Sequence, residues 1–165
     1  MIIGGAGSGK STLAVQLGEL TELPVVHIDP MYWKPGWVQR EHAETEAMVH
    51  EAIAADKWIF EGNNSKTFQS RLARADTLVF LDISMPRRLW RVLKRTISSY
   101  GKVRPDMAEG CPEQFDFSFL LWVIDYARRG SRDVAINLLK SAPDDVDVHH
   151  LRKPSHVKMF LNAVQ

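Results

Sequence analysis

The sequence predicts a three-layer α/β fold, a five-stranded parallel sheet with helices on both faces. Three observations predict it. Short apolar runs alternate with segments of helical period along the 165 residues. The string Gly4-Gly5-Ala6-Gly7-Ser8-Gly9-Lys10-Ser11-Thr12, which fits G-x-x-x-x-G-K-[ST] in full, follows directly on the apolar Met1-Ile2-Ile3. Asp29, Glu61 and Asp82 each follow a strand-like run, at the edge where parallel α/β sheets gather their ligands.

The first strand ends at Ile3. Only three residues precede Gly4, against about five or six in a typical strand, so the native chain is expected to begin a few residues earlier. Lys10 to Leu20 reads as a helix, with Leu13, Leu17 and Leu20 along one face. Pro24 leads into Val25-Val26-His27-Ile28, a second strand ending at Asp29. A loop rich in Pro, Gly and Trp runs from Pro30 to Trp37, before a polar helix from about Arg40 to Ala55. Trp58-Ile59-Phe60 is the third strand, closed by Glu61-Gly62-Asn63. A short helix through Leu72 leads to Thr77–Leu81, the fourth strand, and Pro86 opens a basic helix to about Ser99. Tyr100 to Phe117 is polar, carries Gly101, Pro105, Gly110 and Pro112, and reads as a mobile flap. One long helix is expected from Phe117 to Ser141, a fifth strand from Val146 to Leu151 and a closing helix from Ser155 to Val164. With no internal repeat, low-complexity tract or linker, residues 1–165 are expected to form one domain with a small lid at about 100–117.

Composition narrows the function classes. A formal net charge of +1 gives no overall pull toward nucleic acid or an anionic membrane. The single cysteine, Cys111, excludes an internal disulfide framework and suits a reducing compartment. The longest apolar run, Phe119 to Ile124, is far short of a membrane span, and no secretory signal precedes the glycine-rich string. The expected location is the cytoplasm. No pattern in the chain specifies an oligomeric state.

The glycine-rich string carries the clearest chemistry. Glycines let backbone N–H groups turn inward around phosphate oxygens, and the start of the following helix adds partial positive charge. Lys10 can reach β- and γ-phosphates, and the Ser11 hydroxyl can ligate Mg2+. Gly4 to Thr12 thus reads as the phosphate loop of a P-loop NTPase fold, binding a nucleoside triphosphate. The chain carries no N-K-x-D guanine-reading string and is short for a motor or transporter subunit, which leaves a small phosphotransferase.

Several strings resemble the adenylate-kinase-like group of nucleoside and nucleotide kinases. They are Glu61-Gly62 at the end of the third strand, Leu81-Asp82-Ile83 with Pro86, the R-x-x-x-R step of Arg91 and Arg95, and the R-x-D of Arg104-Pro105-Asp106. A closer resemblance is to the bacterial topology modulation proteins. It rests on Asp29-Pro30-Met31-Tyr32-Trp33-Lys34-Pro35-Gly36-Trp37, on Trp58 to Asn63, and on Arg104 to Met107 with Gly110 to Glu113. The group's label implies an influence on DNA supercoiling, and its relation to adenylate kinases implies phosphoryl transfer. Glu61-Gly62 is followed by Asn63-Asn64, not by the Phe-Pro-Arg that helps adenylate kinases hold an acceptor monophosphate.

Phosphoryl transfer needs positioning and cancellation of charge. Arg87, Arg91 and Arg95 share one helix face at i, i+4, i+8, with Arg88 and Lys94 beside them. Arg91 and Arg95 are expected to reach nucleotide phosphate, against the plainer reading of a solvated basic face. Arg104 is a charge that can swing in with the flap, and Arg128, Arg129 and Arg132 form a second cluster that is either a phosphate contact or surface. Of Asp29 and Glu61, one can orient or deprotonate an acceptor hydroxyl and the other hold a water on Mg2+, unless both serve as loop hydrogen-bond acceptors. Asp82 resembles the carboxylate that holds the metal in many phosphate-loop proteins. Trp33 and Trp37 can stack on an acceptor ring or pin their loop to the core, and Lys34 between them can meet an anion. Cys111 reads as structural, and His149-His150 has no metal-ligand company. The turn Arg152-Lys153-Pro154 resembles the place where these kinases hold adenine.

The leading function is transfer of the γ-phosphoryl of Mg-ATP to a small-molecule acceptor, such as a nucleoside or nucleotide. The alternative is a nucleotide-dependent regulator of DNA topology. Direct DNA binding has only the 87–95 stripe and the 128–132 cluster to work with, in a nearly neutral chain without a helix-turn-helix pattern.

Overall fold

The computed structural model describes residues Met1–Val164. Five parallel strands form the central sheet: β1 (Ile2–Gly4), β2 (Val25–His27), β5 (Ile59–Glu61), β6 (Thr77–Leu81) and β7 (Asp147–Leu151). Their spatial order is β2-β5-β1-β6-β7. β1 is therefore central, and Gly4 is in register with Leu81. β3 (Trp33–Lys34) and β4 (Val38–Gln39) form a separate antiparallel hairpin.

Alternation along the strands divides the core between the two faces. Ile2, Ile59, Val79 and Leu81 pack with Leu13, Ala14 and Leu17 of α1 (Lys10–Thr21) and with Val157 and Leu161 of α8 (Pro154–Val164). Ile3, Leu78 and Phe80 point the other way, onto Phe68 and Leu72 of α4 (Phe68–Leu72) and Ala135 and Leu138 of α7 (Ser131–Lys140). Phe60 joins Val49 and Ile53 of α3 (His42–Ile53) on that second face. The expected three-layer arrangement is present. Among the described residues no helix is long and apolar enough to cross a membrane.

Two expectations are corrected. The single long helix from Phe117 to Ser141 is two helices, α6 (Phe117–Ile124) and α7. The break falls at Gly130, whose φ of 70° places it in the left-handed region, where glycine carries no Cβ penalty. The turn lets α7 pack on the sheet while α6 packs on α5 (Met85–Ser99). The loop from Pro30 to Trp37 is also more ordered than expected, since Asp29–Tyr32 is a helical turn, α2, that feeds the β3–β4 hairpin.

At the carboxyl end of the sheet, Asp82 is gripped from two sides. Arg132 Nε and Nη2 donate to its two oxygens at 2.9 and 2.7 Å, and His150 Nε2 lies 2.9 Å from Oδ2. Burial pushes this carboxyl up, but the bonds from Arg132 and His150 more than offset it and hold it below its ordinary value. A lowered folded-state value means that the stabilisation is complete above the unfolded value of about 3.9 and fades as pH falls through the folded one. The stability gap between the protein and Asp82→Asn should accordingly be widest near neutral pH and shrink on acidification, as urea unfolding across the acid range would record.

Candidate active site

The loops after β1, β2 and β5 enclose a cleft of about 1290 Å³. Its floor is the glycine-rich loop. Ser8 N–H donates to Gly5 O at 3.1 Å, closing the bend, and Gly9 enters α1 in the left-handed region without a side-chain cap. The first N–H groups of α1 thus open toward the cleft without intrahelical acceptors. Arg88 lies beneath the loop, buried, with its Nη1 donating to Ala6 O at 3.4 Å, Nε to Ile83 O at 3.2 Å and Nη2 to Val123 O at 3.2 Å. Its cation also sits 4.7 Å from the Tyr126 ring centroid.

Gly7 has φ +76°, and a Cβ there would strike the Arg88 carbonyl oxygen. A side chain at that φ costs about 1–3 kcal/mol before the collision is counted. Gly7→Ala is therefore expected to weaken Mg-ATP binding by at least about tenfold, as calorimetric titration would measure. An unchanged affinity would mean that the bend does not hold phosphate.

The loop fits a polyphosphate on observations of its own. Among the described residues the Ser8 hydroxyl, like that of Tyr126, is buried with no hydrogen-bond partner in the protein, a condition that calls for a water, an ion or a ligand. Lys10 Nζ folds back to Gly5 O at 3.4 Å and among the described residues has no carboxylate partner. Arg91 Nη1 donates to Ser8 O at 2.8 Å, which places its guanidinium against the loop.

The facing wall comes from β2 and β5. Glu61, buried, accepts from the Ser11 hydroxyl at 3.2 Å and lies 2.6 Å from His27 Nδ1. That bond raises the His27 ring above its ordinary value. Asp29, one residue beyond Ile28, lines the same cleft, and burial together with the neighbouring Glu61 pushes its carboxyl up. Asn63 Oδ1 accepts from Gly4 N–H at 3.0 Å and so ties the loop after β5 to the phosphate loop. Arg71 sits under this loop, fully buried, its donors on Gly62 O at 3.0 Å, Asn64 O at 3.3 Å and Thr67 O at 3.4 Å.

The segment from Tyr100 to Phe117 lies folded on the β3–β4 hairpin. Its ends are fastened by Gly101 N–H to Glu113 O and Glu113 N–H to Lys102 O, each 2.8 Å. Met107, Ala108 and Cys111 pack against Trp33 and Trp37. Gly36 N–H donates to Gly110 O at 2.9 Å, and the Cys111 thiol donates to Lys34 O at 3.2 Å. Arg95 and Arg104 both line the cleft and both bind Glu113, at 3.1 and 3.0 Å. Arg104 Nη1 also reaches both oxygens of Asp106 at 2.8 Å. Burial works against the Asp106 carboxylate, yet Arg104 and the Ser11 hydroxyl hold its value below the ordinary one.

Gly4, Ala6 to Thr12, Asp29, Glu61, Arg91, Arg95 and Arg104 therefore share one cleft, with Gly5 at the closed back of the loop. Asp82 and Arg132 line a separate, smaller pocket, paired with each other. Arg87 is exposed, and Arg128 and Arg129 turn to Asp125 and to Trp122. Lys34 is paired with Glu44 at 2.9 Å. His27, Asp106, Glu113 and the buried Arg71 and Arg88 add to the site. Asp106, in its R-x-D string, and Glu113, in the Gly110 to Glu113 string, carried a signal along the chain, and Arg88 reads there only as a neighbour of the arginine stripe. Among the described residues no group of three His, Cys, Asp or Glu side chains is arranged to hold a metal unaided.

No protein-family model matches the chain, and no curated protein matches it. A solved candidate kinase from Chloroflexus aurantiacus J-10-fl aligns over 99% of this chain and 95% of its own, at 15% identity and a TM-score of 0.58. A deoxyadenosine kinase from M. mycoides, solved with dCTP, aligns over 99% and 98% at 12% identity, with a TM-score of 0.44 that is too low to bear on the fold. The first likeness is one of fold, and together with the sheet order and the loop it gives this chain the P-loop NTPase fold.

Proposed function

We propose that the protein is an ATP-dependent phosphotransferase acting on a small molecule. The observation that carries this reading is the pairing of a phosphate loop holding an orphaned Ser8 hydroxyl with a carboxylate wall, Asp29 and Glu61, across one cleft. The polyphosphate of ATP lies on Gly4 to Thr12, and Lys10 and Arg91 balance the charge that migrates with the phosphoryl group, while Arg95 and Arg104 line the cleft held by Glu113 and Asp106. Ser11, with Glu61 behind it at 3.2 Å, holds Mg2+. The ion, when bound, neutralises charge between the β- and γ-phosphates. Asp82 is committed to Arg132 and His150, so the reading assigns the metal to Ser11. Pro154 and Val157 line the cleft beside the turn assigned to adenine. The chain acts as one domain in which residues 100–117 are the lid that excludes water.

Within this reading the chain is placed beside the topology modulation proteins. In support, two of the strings that carry that resemblance touch each other, Trp37 Nε1 donating to Pro112 O at 3.1 Å. The reading is tested by following ADP release from Mg-ATP over a broad acceptor panel. Acceptor-dependent release is expected, and ATP turnover that no acceptor accelerates would count against it.

A further inference from the structure

The acceptor half of the cleft is poor in uncommitted positive charge. Arg104 is held by Asp106 and Glu113, and Arg95 by Glu113. Arg40 donates to Met31 O at 2.9 Å and is paired with Glu44. The lining cations that bind only backbone carbonyls, Lys10 and Arg91, lie on the phosphate loop itself. Among the described residues of the acceptor half, Lys66 is left, exposed at the rim. The wall opposite the loop is instead acidic and aromatic, with Asp29 and Glu61 beside Tyr32, Trp33 and Trp37. An acceptor phosphate entering there would meet like charge on Asp29 and Glu61 and would have to strip an arginine from its carboxylate.

Building on the phosphotransferase reading, we propose that the acceptor is an unphosphorylated alcohol, neutral or cationic, with a ring or apolar body that lies on the Trp33–Trp37 wall, and that Asp29 takes its proton. The acceptor oxygen forms the new bond to the γ-phosphorus. The bond from that phosphorus to the β,γ-bridging oxygen breaks, ADP leaves with the electron pair, and the hydroxyl proton passes to the Asp29 carboxylate. The raised affinity of Asp29 for a proton, caused by burial and by Glu61, is in the direction that this role needs.

The test uses the full chain saturated with Mg2+ and the non-hydrolysable analogue AMP-PNP, so that the phosphate loop is filled. Adenosine, cytidine, uridine, thymidine and choline are each titrated by calorimetry beside their monophosphates, and inorganic phosphate is titrated alone. No monophosphate is expected to bind more tightly than its parent alcohol, and inorganic phosphate should not bind measurably. The double variant Asp106→Asn/Glu113→Gln, which removes both carboxylates from Arg104 and the one on Arg95, should make inorganic phosphate binding measurable. A monophosphate binding tenfold more tightly than its parent would overturn the proposal while leaving phosphotransfer standing. So would an Asp106→Asn/Glu113→Gln variant, folded by circular dichroism, that binds phosphate no better than the parent protein. Failure of AMP-PNP itself to bind would overturn both readings.

Discussion

Lys10→Ala is expected to slow phosphoryl transfer by about 10²- to 10³-fold and to weaken ATP binding, with the fold intact. The rate estimate is that of removing one preorganised cation from a transition state that gains charge on its equatorial oxygens. The fold should survive because Lys10 is partly exposed and makes a single long bond, 3.4 Å to Gly5 O. Losing such a contact usually changes stability by no more than about 0.5 kcal/mol. Steady-state ADP release and a thermal melt on the same preparation separate the two effects. A variant that melted early and also lost activity would reassign Lys10 to the fold.

The largest stability effect should come from a residue outside the phosphate loop. Arg71 is the largest fully buried side chain, lying 5.0 and 5.2 Å from the centroids of Phe60 and Phe68. Burial lowers its pKa to about 9, so the guanidinium stays charged at neutral pH. Arg71→Met leaves the Gly62 carbonyl without its donor, while Asn64 O keeps the Thr67 N–H and hydroxyl and Thr67 O keeps the Ser70 hydroxyl. Leaving this one buried acceptor unmet costs about 1–3 kcal/mol, or roughly 2–12 °C in melting temperature for a chain of this size. That carbonyl belongs to the loop that holds Asn63 against Gly4, so ATP affinity should fall as well. Thermal unfolding by circular dichroism measures the first effect and calorimetry the second.

What the sequence makes legible follows from how local each determinant is. The phosphate loop is legible because its spacing, the strand before it and the helix after it are contiguous in the chain. The strand ends at Asp29, Glu61 and Asp82 are legible because apolar runs stop abruptly at a carboxylate. Partners are another matter. Asp82 and Arg132 are 50 residues apart, and nothing at either position says that they meet, so Asp82 reads equally well as a metal carboxylate. The buried stripe of α5 is Arg88, Val92 and Thr96, one residue out of phase with Arg87, Arg91 and Arg95. Periodicity identifies the helix and misses which arginine lies under the loop. Gly130 reads as a tolerated helical glycine because only packing on the sheet makes a turn there worthwhile. The flap reads as mobile because its composition is polar, yet Met107, Ala108 and Cys111 fasten it to Trp33 and Trp37, a contact between segments about 70 residues apart that only the fold creates.

The central claim is that the glycine-rich bend grips the polyphosphate of ATP and presents its terminal group to the carboxylate wall. A crystal structure of the full chain grown with Mg2+ and AMP-PNP tests it most directly. The account predicts phosphate oxygens within hydrogen-bond distance of the Ser8 hydroxyl and Lys10 Nζ, with the γ-phosphate facing Asp29. Nucleotide bound elsewhere, with the bend still closed on itself through Lys10 and Gly5, would contradict it.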